Sequence, residues 1–176
     1  MNNAALTTQR CRNILLVGGN SAIGEAIARQ LAHGQRRIVI TGRDPEQLQA
    51  TAADLLTRGY AQALWLCFDP SDPQSDPMAV FANATEQLGE LDALIWTAGV
   101  MADEADDVKR LEDTDRIMRV NATAAIVMAA SAARAFQARG AGTIVALSSV
   151  AADRGRATNA LYGAAKAALA TYLSGL

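Results

Sequence analysis

Histidine occurs once in this 176-residue chain, as His33, and cysteine twice, as Cys11 and Cys67. That scarcity leaves nothing from which to build a Ser-His-Asp hydrolase or a zinc site, and two thiols so widely spaced predict reduced cysteines rather than a disulfide framework. His33, just before Gly34, reads as a residue that caps or solvates a helix end. No apolar run approaches the ~20 residues that a membrane span needs, and the opening MNNAALTTQRCR lacks the apolar centre of a signal peptide. Basic runs and aromatic-basic stripes are missing too. With a net charge of −2 and both signs scattered, the chain carries no footprint for nucleic acid. The expectation is a cytoplasmic protein with no metal, no membrane span and no nucleic-acid partner. Its length suits one domain that buries roughly 70% of its unfolded surface, and neither an internal repeat nor a low-complexity linker divides it.

What is present begins at Asn13 to Ala28, NILLVGGNSAIGEAIA. A short apolar run (Ile14, Leu15, Leu16, Val17) meets Gly18 and Gly19 at once, and after Asn20, Ser21, Ala22 and Ile23 comes Gly24, from which an alanine-rich helical pattern departs. That is a strand, a tight turn and a helix start. Helix N-terminal N–H groups aimed into open space suit a pyrophosphate. The spacing is GxxxGxG with alanine for the middle glycine, not GxGxxG, and taken alone it also fits a turn with no ligand.

Further short all-apolar runs follow at Ile38 to Ile40, Ala63 to Phe68, Ala93 to Trp96 and Thr143 to Leu147. Runs without alternation predict strands covered on both faces. Helical patterns lie between them: Ala22 to Ala32 with Ile23, Ile27 and Leu31 as its buried stripe, Pro45 to Thr57, Met78 to Leu88, a long one from about Leu111 to Arg139, and Asn159 to the last residue. Alternation of this kind predicts an α/β fold, a doubly wound parallel sheet with helices on both faces. Ligands of such sheets lie beyond the carboxyl ends of the strands. The residues there are Gly18 and Gly19, Thr41-Gly42-Arg43, Asp69, Thr97-Ala98-Gly99 and Ser148-Ser149.

At the second strand's end a carboxylate would hold an adenosine ribose, whereas a cation beside a small residue suits a 2′-phosphate. Gly42 stands where the carboxylate is expected and Arg43 follows, which favours NADP; Asp44 is the competing ribose ligand, for NAD. Near the end, Tyr162 and Lys166 stand four apart and share one helix face. A free phenol titrates near ~10, and a fixed ammonium beside it favours phenolate, which suits proton transfer at cellular pH. Thirteen residues earlier, Ser149 ends the fifth strand, placed to donate to a substrate oxygen.

These stretches together resemble the short-chain dehydrogenase/reductase superfamily over nearly the whole chain: VGGNSAIG (Val17 to Gly24), TAG (Thr97 to Gly99), Asn121, SSV (Ser148 to Val150) and YGAAK (Tyr162 to Lys166). The resemblance implies a Rossmann-like sheet of order 3-2-1-4-5 and NAD(P)(H)-dependent hydride transfer between nicotinamide and a carbonyl or alcohol. Tyr162 would be the acid/base, Lys166 would tune it and hold the nicotinamide ribose, Ser149 would polarise the carbonyl, and Asn121 would support a water-linked proton relay. Gly18, Asn20, Ser21, Ile23, Gly24, Arg43, Asp69, Ala98 and Gly99 would contact the cofactor, with NADP(H) preferred over NAD(H). A homodimer or homotetramer is implied as well. Val17 for threonine, Ala22 for the middle glycine and Trp96-Thr97 for paired asparagines depart from the pattern, so the loop must be braced against the fourth strand in another way.

A narrower likeness joins VALSSVAADRGRATNALYGAAKAAL and RVNATAAIVMAA to the reductase partner of decaprenylphosphoryl-ribose 2-epimerase and related bacterial reductases. It implies a keto-sugar of cell-envelope glycolipid synthesis, whose phosphate Arg154 and Arg156 would meet unless they are solvated loop charges. Family members continue beyond the YxxxK helix, so a C-terminally truncated domain, lacking the family's last strands, is expected. The rival from another class is a dinucleotide-binding sensor or scaffold without catalysis.

Overall fold

A computed structural model describes residues 11–101 and 113–176. Five parallel strands form one sheet: β1 (Asn13–Val17), β2 (Arg37–Gly42), β3 (Gln62–Cys67), β4 (Ala93–Trp96) and β5 (Thr143–Ala146). Their order is β3-β2-β1-β4-β5, as the resemblance implies. Among the described residues six α-helices accompany them: α1 (Ala22–Gln30), α2 (Pro45–Thr57), α3 (Pro77–Leu88), α4 (Thr114–Met118), α5 (Ala124–Arg139) and α6 (Ala160–Ser174).

The central strand shows why unbroken apolar runs become strands here. Successive side chains point to opposite faces. Ile14 and Leu16 of β1 join Ile38, Ile40, Ala93 and Ile95 beneath α1 and α2. Leu15 and Val17 join Val39, Leu94 and Trp96 in a second cluster, completed by Phe81 of α3, Met128 and Phe136 of α5 and Leu169 of α6. Both faces of β1 are dry. Register pairs Val17 with Thr41 on one side and Trp96 on the other, so three strands end level with one another. Asp44 and Asp76 cap α2 and α3 ahead of a first-turn proline, accepting from Glu46 and Gln47 N–H and from Met78 N–H respectively. Gly89 and Gly140, both left-handed, end α3 and α5.

The packing of α1 corrects the expected stripe. Ile23 is 57% exposed, Ile27 and Leu31 are only partly covered, and the buried residues are Gly24 and Ala28. Small residues win that face because the helix lies against the glycine turn: a Cβ on Gly24 would overlap the Gly18 carbonyl oxygen. The β3 run also differs from the expected two-sided burial. As an edge strand it is covered on one side only, and Trp65 and Cys67 are exposed. The expected long helix is in fact two, α4 and α5, joined by a π-helical turn over Arg119–Thr123. Its expected first residue, Leu111, lies outside the described residues. Helix α1 closes at Gln30, three residues before the exposed His33, and α6 closes at Ser174 rather than at the chain's last residue. Among the described residues no helix is long and apolar enough to cross a membrane.

Candidate active site

The carboxyl ends of β1 to β4 open onto one cleft. Of the expected cofactor residues it is lined by Gly18, Asn20, Ser21, Arg43, Asp69, Ala98 and Gly99. The turn that forms its floor is tightly fixed. Gly18 takes φ +83, which an L side chain rarely adopts, and a Cβ there would stand 2.8 Å from Thr97 Oγ1. The Gly18 and Gly19 N–H groups both donate to the Thr41 carbonyl, at 3.1 and 2.9 Å. Ser21 Oγ caps α1, accepting from Gly24 N–H at 3.1 Å and donating to the Gly18 carbonyl at 2.8 Å. Gly24 is therefore a packing residue, and the Ile23 side chain is turned outward.

Thr97 answers how the loop is braced without the paired asparagines. Its hydroxyl lies 2.8 Å from the Val17 carbonyl and 3.1 Å from that of Gly18, a three-centre link between β4 and the turn. Trp96 Nε1 donates to the Ala98 carbonyl at 2.9 Å and fixes the next residues.

At the second strand's end, Arg43 is exposed and lines the cleft, while Asp44 is engaged elsewhere. Asp44 Oδ1 accepts from Glu46 N–H at 3.0 Å and Gln47 N–H at 3.1 Å, as the cap of α2. That engagement occupies one oxygen of Asp44, and the exposed residue lines a shallow depression with Asn20, Ser21, Arg43 and Gln47. Asp69 Oδ1 accepts from Ser71 N–H (2.9 Å) and Ser71 Oγ (2.6 Å), which holds the loop after β3 against the cleft.

Of the cleft's other lining residues, Arg116 was not a candidate in the sequence, and Thr41 was named there only as a strand-end residue. Arg116 reaches the cleft from α4, held by a bidentate pair with Asp113 at 2.9 Å for both bonds. Thr41 is fully buried, and its Oγ1 has no hydrogen-bond partner. The signal for Thr41 was its place at a strand end; Arg116 gave none, because its position depends on the helix geometry before Asn121.

Asn121 is fully buried in the π turn and clasps the chain leaving β4. Its Oδ1 accepts from Val100 N–H at 3.2 Å, and its Nδ2 donates to the carbonyls of Val100 (2.7 Å) and Ile117 (3.0 Å). Lys166, 3% exposed, donates from Nζ to the Leu147 carbonyl just beyond β5, at 2.9 Å. Burial pushes its pKa below the ordinary lysine value. The same Nζ lies 5.8 Å from the centre of the Tyr162 ring. From a Cβ placed on Gly99 it would be 3.6 Å away, and Asn121 Oδ1 3.1 Å, so amine and amide face the cleft's inner end. Ser149 opens the 3-10 turn Val150–Ala152, accepting from Ala151 N–H at 3.1 Å with its proton left to donate. Gly163 lets α6 press onto that turn, since a Cβ there would stand 2.6 Å from the Ala151 carbonyl oxygen. Tyr162 is thus carried to the same end as Ser149, half-buried. Arg154 and Arg156 are exposed on the segment between the 3-10 turn and α6.

Comparison with known proteins bears on this arrangement. A family model described as short chain dehydrogenase matches residues 12–176. An uncharacterized oxidoreductase in the mprA 5′ region of Streptomyces coelicolor is 36% identical over 169 residues, covering 94% of this chain and 65% of that protein. An uncharacterized oxidoreductase of Mycobacterium tuberculosis is 31% identical over 163 residues, with 93% and 65% covered. The chain thus spans just under two thirds of the length of these relatives. Among solved structures, a short chain dehydrogenase from Burkholderia cenocepacia in complex with NADP superposes with a TM-score of 0.82 at 31% identity, over 96% of this chain and 68% of that one.

Proposed function

The chain belongs to the short-chain dehydrogenase family, and from that premise we propose that it is an NADP(H)-dependent oxidoreductase acting on a carbonyl or alcohol. The observation that carries the reading is the buried Lys166, whose amine stands between the Tyr162 ring and the inner end of the cleft. NADP is also what the Burkholderia relative is described as holding.

The residues fit a dinucleotide. Gly18 and Gly99 line the cleft, the hydroxyl of Thr41 is buried beside it without a partner, and Arg43 supplies a planar cation. When bound, the nicotinamide supplies or accepts the hydride. The protein does the rest. Gly18, Asn20, Ser21, Ala98 and Gly99 bind and orient; Asp69 and Arg43 face the adenosine half. Ser149 Oγ–H donates to the substrate oxygen and Tyr162 Oη gives or takes its proton. Lys166 holds its buried amine beside the Tyr162 ring and would hold the nicotinamide ribose. Asn121 holds the Val100 backbone and with it the wall of the cleft. The exposed Arg154 and Arg156 favour a phosphate-bearing substrate, such as a keto-sugar linked to a lipid carrier, and the finished catalyst would be a homodimer or homotetramer.

Tyr162→Phe is the test. Carbonyl-dependent NADPH consumption should fall by at least about a hundredfold, the range of lost general acid catalysis, with the dissociation constant for NADPH unchanged. Turnover that survives in Tyr162→Phe would remove Tyr162 from the chemistry. Binding without turnover of any carbonyl in the unsubstituted protein favours the sensor.

A further inference from the structure

The outer edge of β3 is a row of backbone groups with no neighbouring strand among the described residues. Its direction is set by β2. Phe68 N–H donates to the Gly42 carbonyl at 2.8 Å, so by alternation Leu64 and Leu66 face β2, and the N–H and C=O groups of Ala63, Trp65 and Cys67 point outward. Edges of this kind are normally blunted by a lysine, a proline or a bulge. Gln62 to Cys67, QALWLC, holds neither charge nor proline and pairs with β2 residue for residue. Along it runs a largely apolar groove between α2 and α3, lined by Ala52, Ala53, Leu56, Ala63 and Gln87. Trp65 also lines the groove, 36% exposed, and Leu56 is 47% exposed.

The occupant that fits this edge is the same strand of a second copy. A two-fold axis at Leu64 sets Leu64 opposite itself and each Trp65 opposite Ala63 of the other copy, so a large side chain meets a small one over the groove. The outward groups of Ala63 and Trp65 then exchange hydrogen bonds across the pair. An axis at Trp65 would instead drive the two indoles against each other. Charge agrees with an antiparallel pair. Arg58, held by Asp54, precedes the strand, and Asp69 and Asp72 follow it, so antiparallel copies bring the cation beside the carboxylates and parallel copies would bring like beside like. We propose that β3 is a self-association edge through which two chains join their sheets into one. The inference does not depend on the dinucleotide reading above.

The test is sedimentation velocity of the unsubstituted chain and Trp65→Lys at micromolar concentration, with circular dichroism as the check that each is folded. Trp65→Lys should halve the mass of the assembly and raise its dissociation constant by at least about tenfold, because it sets two cations diagonally across the ladder. The register is read by Leu64→Cys, made with Cys11→Ser and Cys67→Ser and oxidised with diamide. It should give a disulfide-linked dimer, since residues opposite one another in a non-hydrogen-bonded antiparallel pair stand ~4.5 Å apart, within disulfide reach. Adding Trp65→Lys should cut the yield of that dimer by at least about fivefold. An unchanged mass in Trp65→Lys overturns the proposal, and so does crosslinking that survives Trp65→Lys undiminished. A single monomer boundary for the unsubstituted chain, which would leave the edge to a strand of some other protein, overturns it as well. If Leu64→Cys fails to fold, Ala61→Cys, which the same register sets opposite the native Cys67, gives the same comparison.

Discussion

Lys166 is the residue on which the chemistry turns, and its burial makes it measurable. Its pKa lies below the ordinary 10.5 because the amine is desolvated. Between the lowered value and 10.5 the folded chain binds fewer protons than the unfolded one, so this residue's contribution to stability rises with pH across that window. In Lys166→Met the contribution is gone. The melting temperature of the variant should therefore rise less, or fall more, as pH is raised toward 10.5 than that of the unsubstituted chain. Calorimetric scans that run parallel over that range would contradict the assignment. Tyr60 offers the opposite sign. Burial pushes its pKa up to about 12, and its hydroxyl donates to the Ala28 carbonyl at 2.9 Å, tying α1 to the start of β3. Tyr60→Phe should cost about 1 kcal/mol at neutral pH. A raised folded pKa means the tyrosine's stability is whole below pH 10.0 and is lost as pH climbs toward about 12. The deficit of the phenylalanine variant should shrink over that interval, as alkaline denaturation curves would show.

Among the elements, the π turn between α4 and α5 matters most to the site. It buries Asn121 where one side chain meets both backbone groups of Val100. Asn121→Ala would orphan those groups and cost about 2–6 kcal/mol, at roughly 1–3 kcal/mol for each group left unmet. Urea unfolding should register that loss together with weaker dinucleotide binding; an unaltered midpoint would contradict it. The turn itself could not be read from RVNAT, since a shift in backbone hydrogen bonding leaves no mark in residue type. Strands were legible for a physical reason: when both faces are buried, as in ILLV and RIVI, apolar residues run without a break. The stripe of α1 was misread because spacing favoured the largest apolar residues, whereas close approach to the glycine turn admits only Gly24 and Ala28. Arg43 was legible from its neighbour Gly42, but the diversion of Asp44 into a helix cap needed three dimensions.

Across the whole molecule, five strand ends gather a glycine turn, a cation and a tyrosine–lysine pair along one edge of the sheet. The homodimer or homotetramer that the resemblance implies predicts an oligomer by sedimentation velocity at micromolar concentration; one monomer boundary would contradict that. The claim beneath the rest is that the cleft is shaped for a 2′-phosphorylated dinucleotide with its phosphate on Arg43. Calorimetric titration of the unsubstituted chain and Arg43→Gln tests it most directly. The account predicts one NADPH bound per chain, NADH weaker by at least about tenfold, and a gap that closes in Arg43→Gln, as loss of a charge-assisted bond worth roughly 1.5–3 kcal/mol requires. No heat from either dinucleotide, or a preference that survives Arg43→Gln intact, would contradict it.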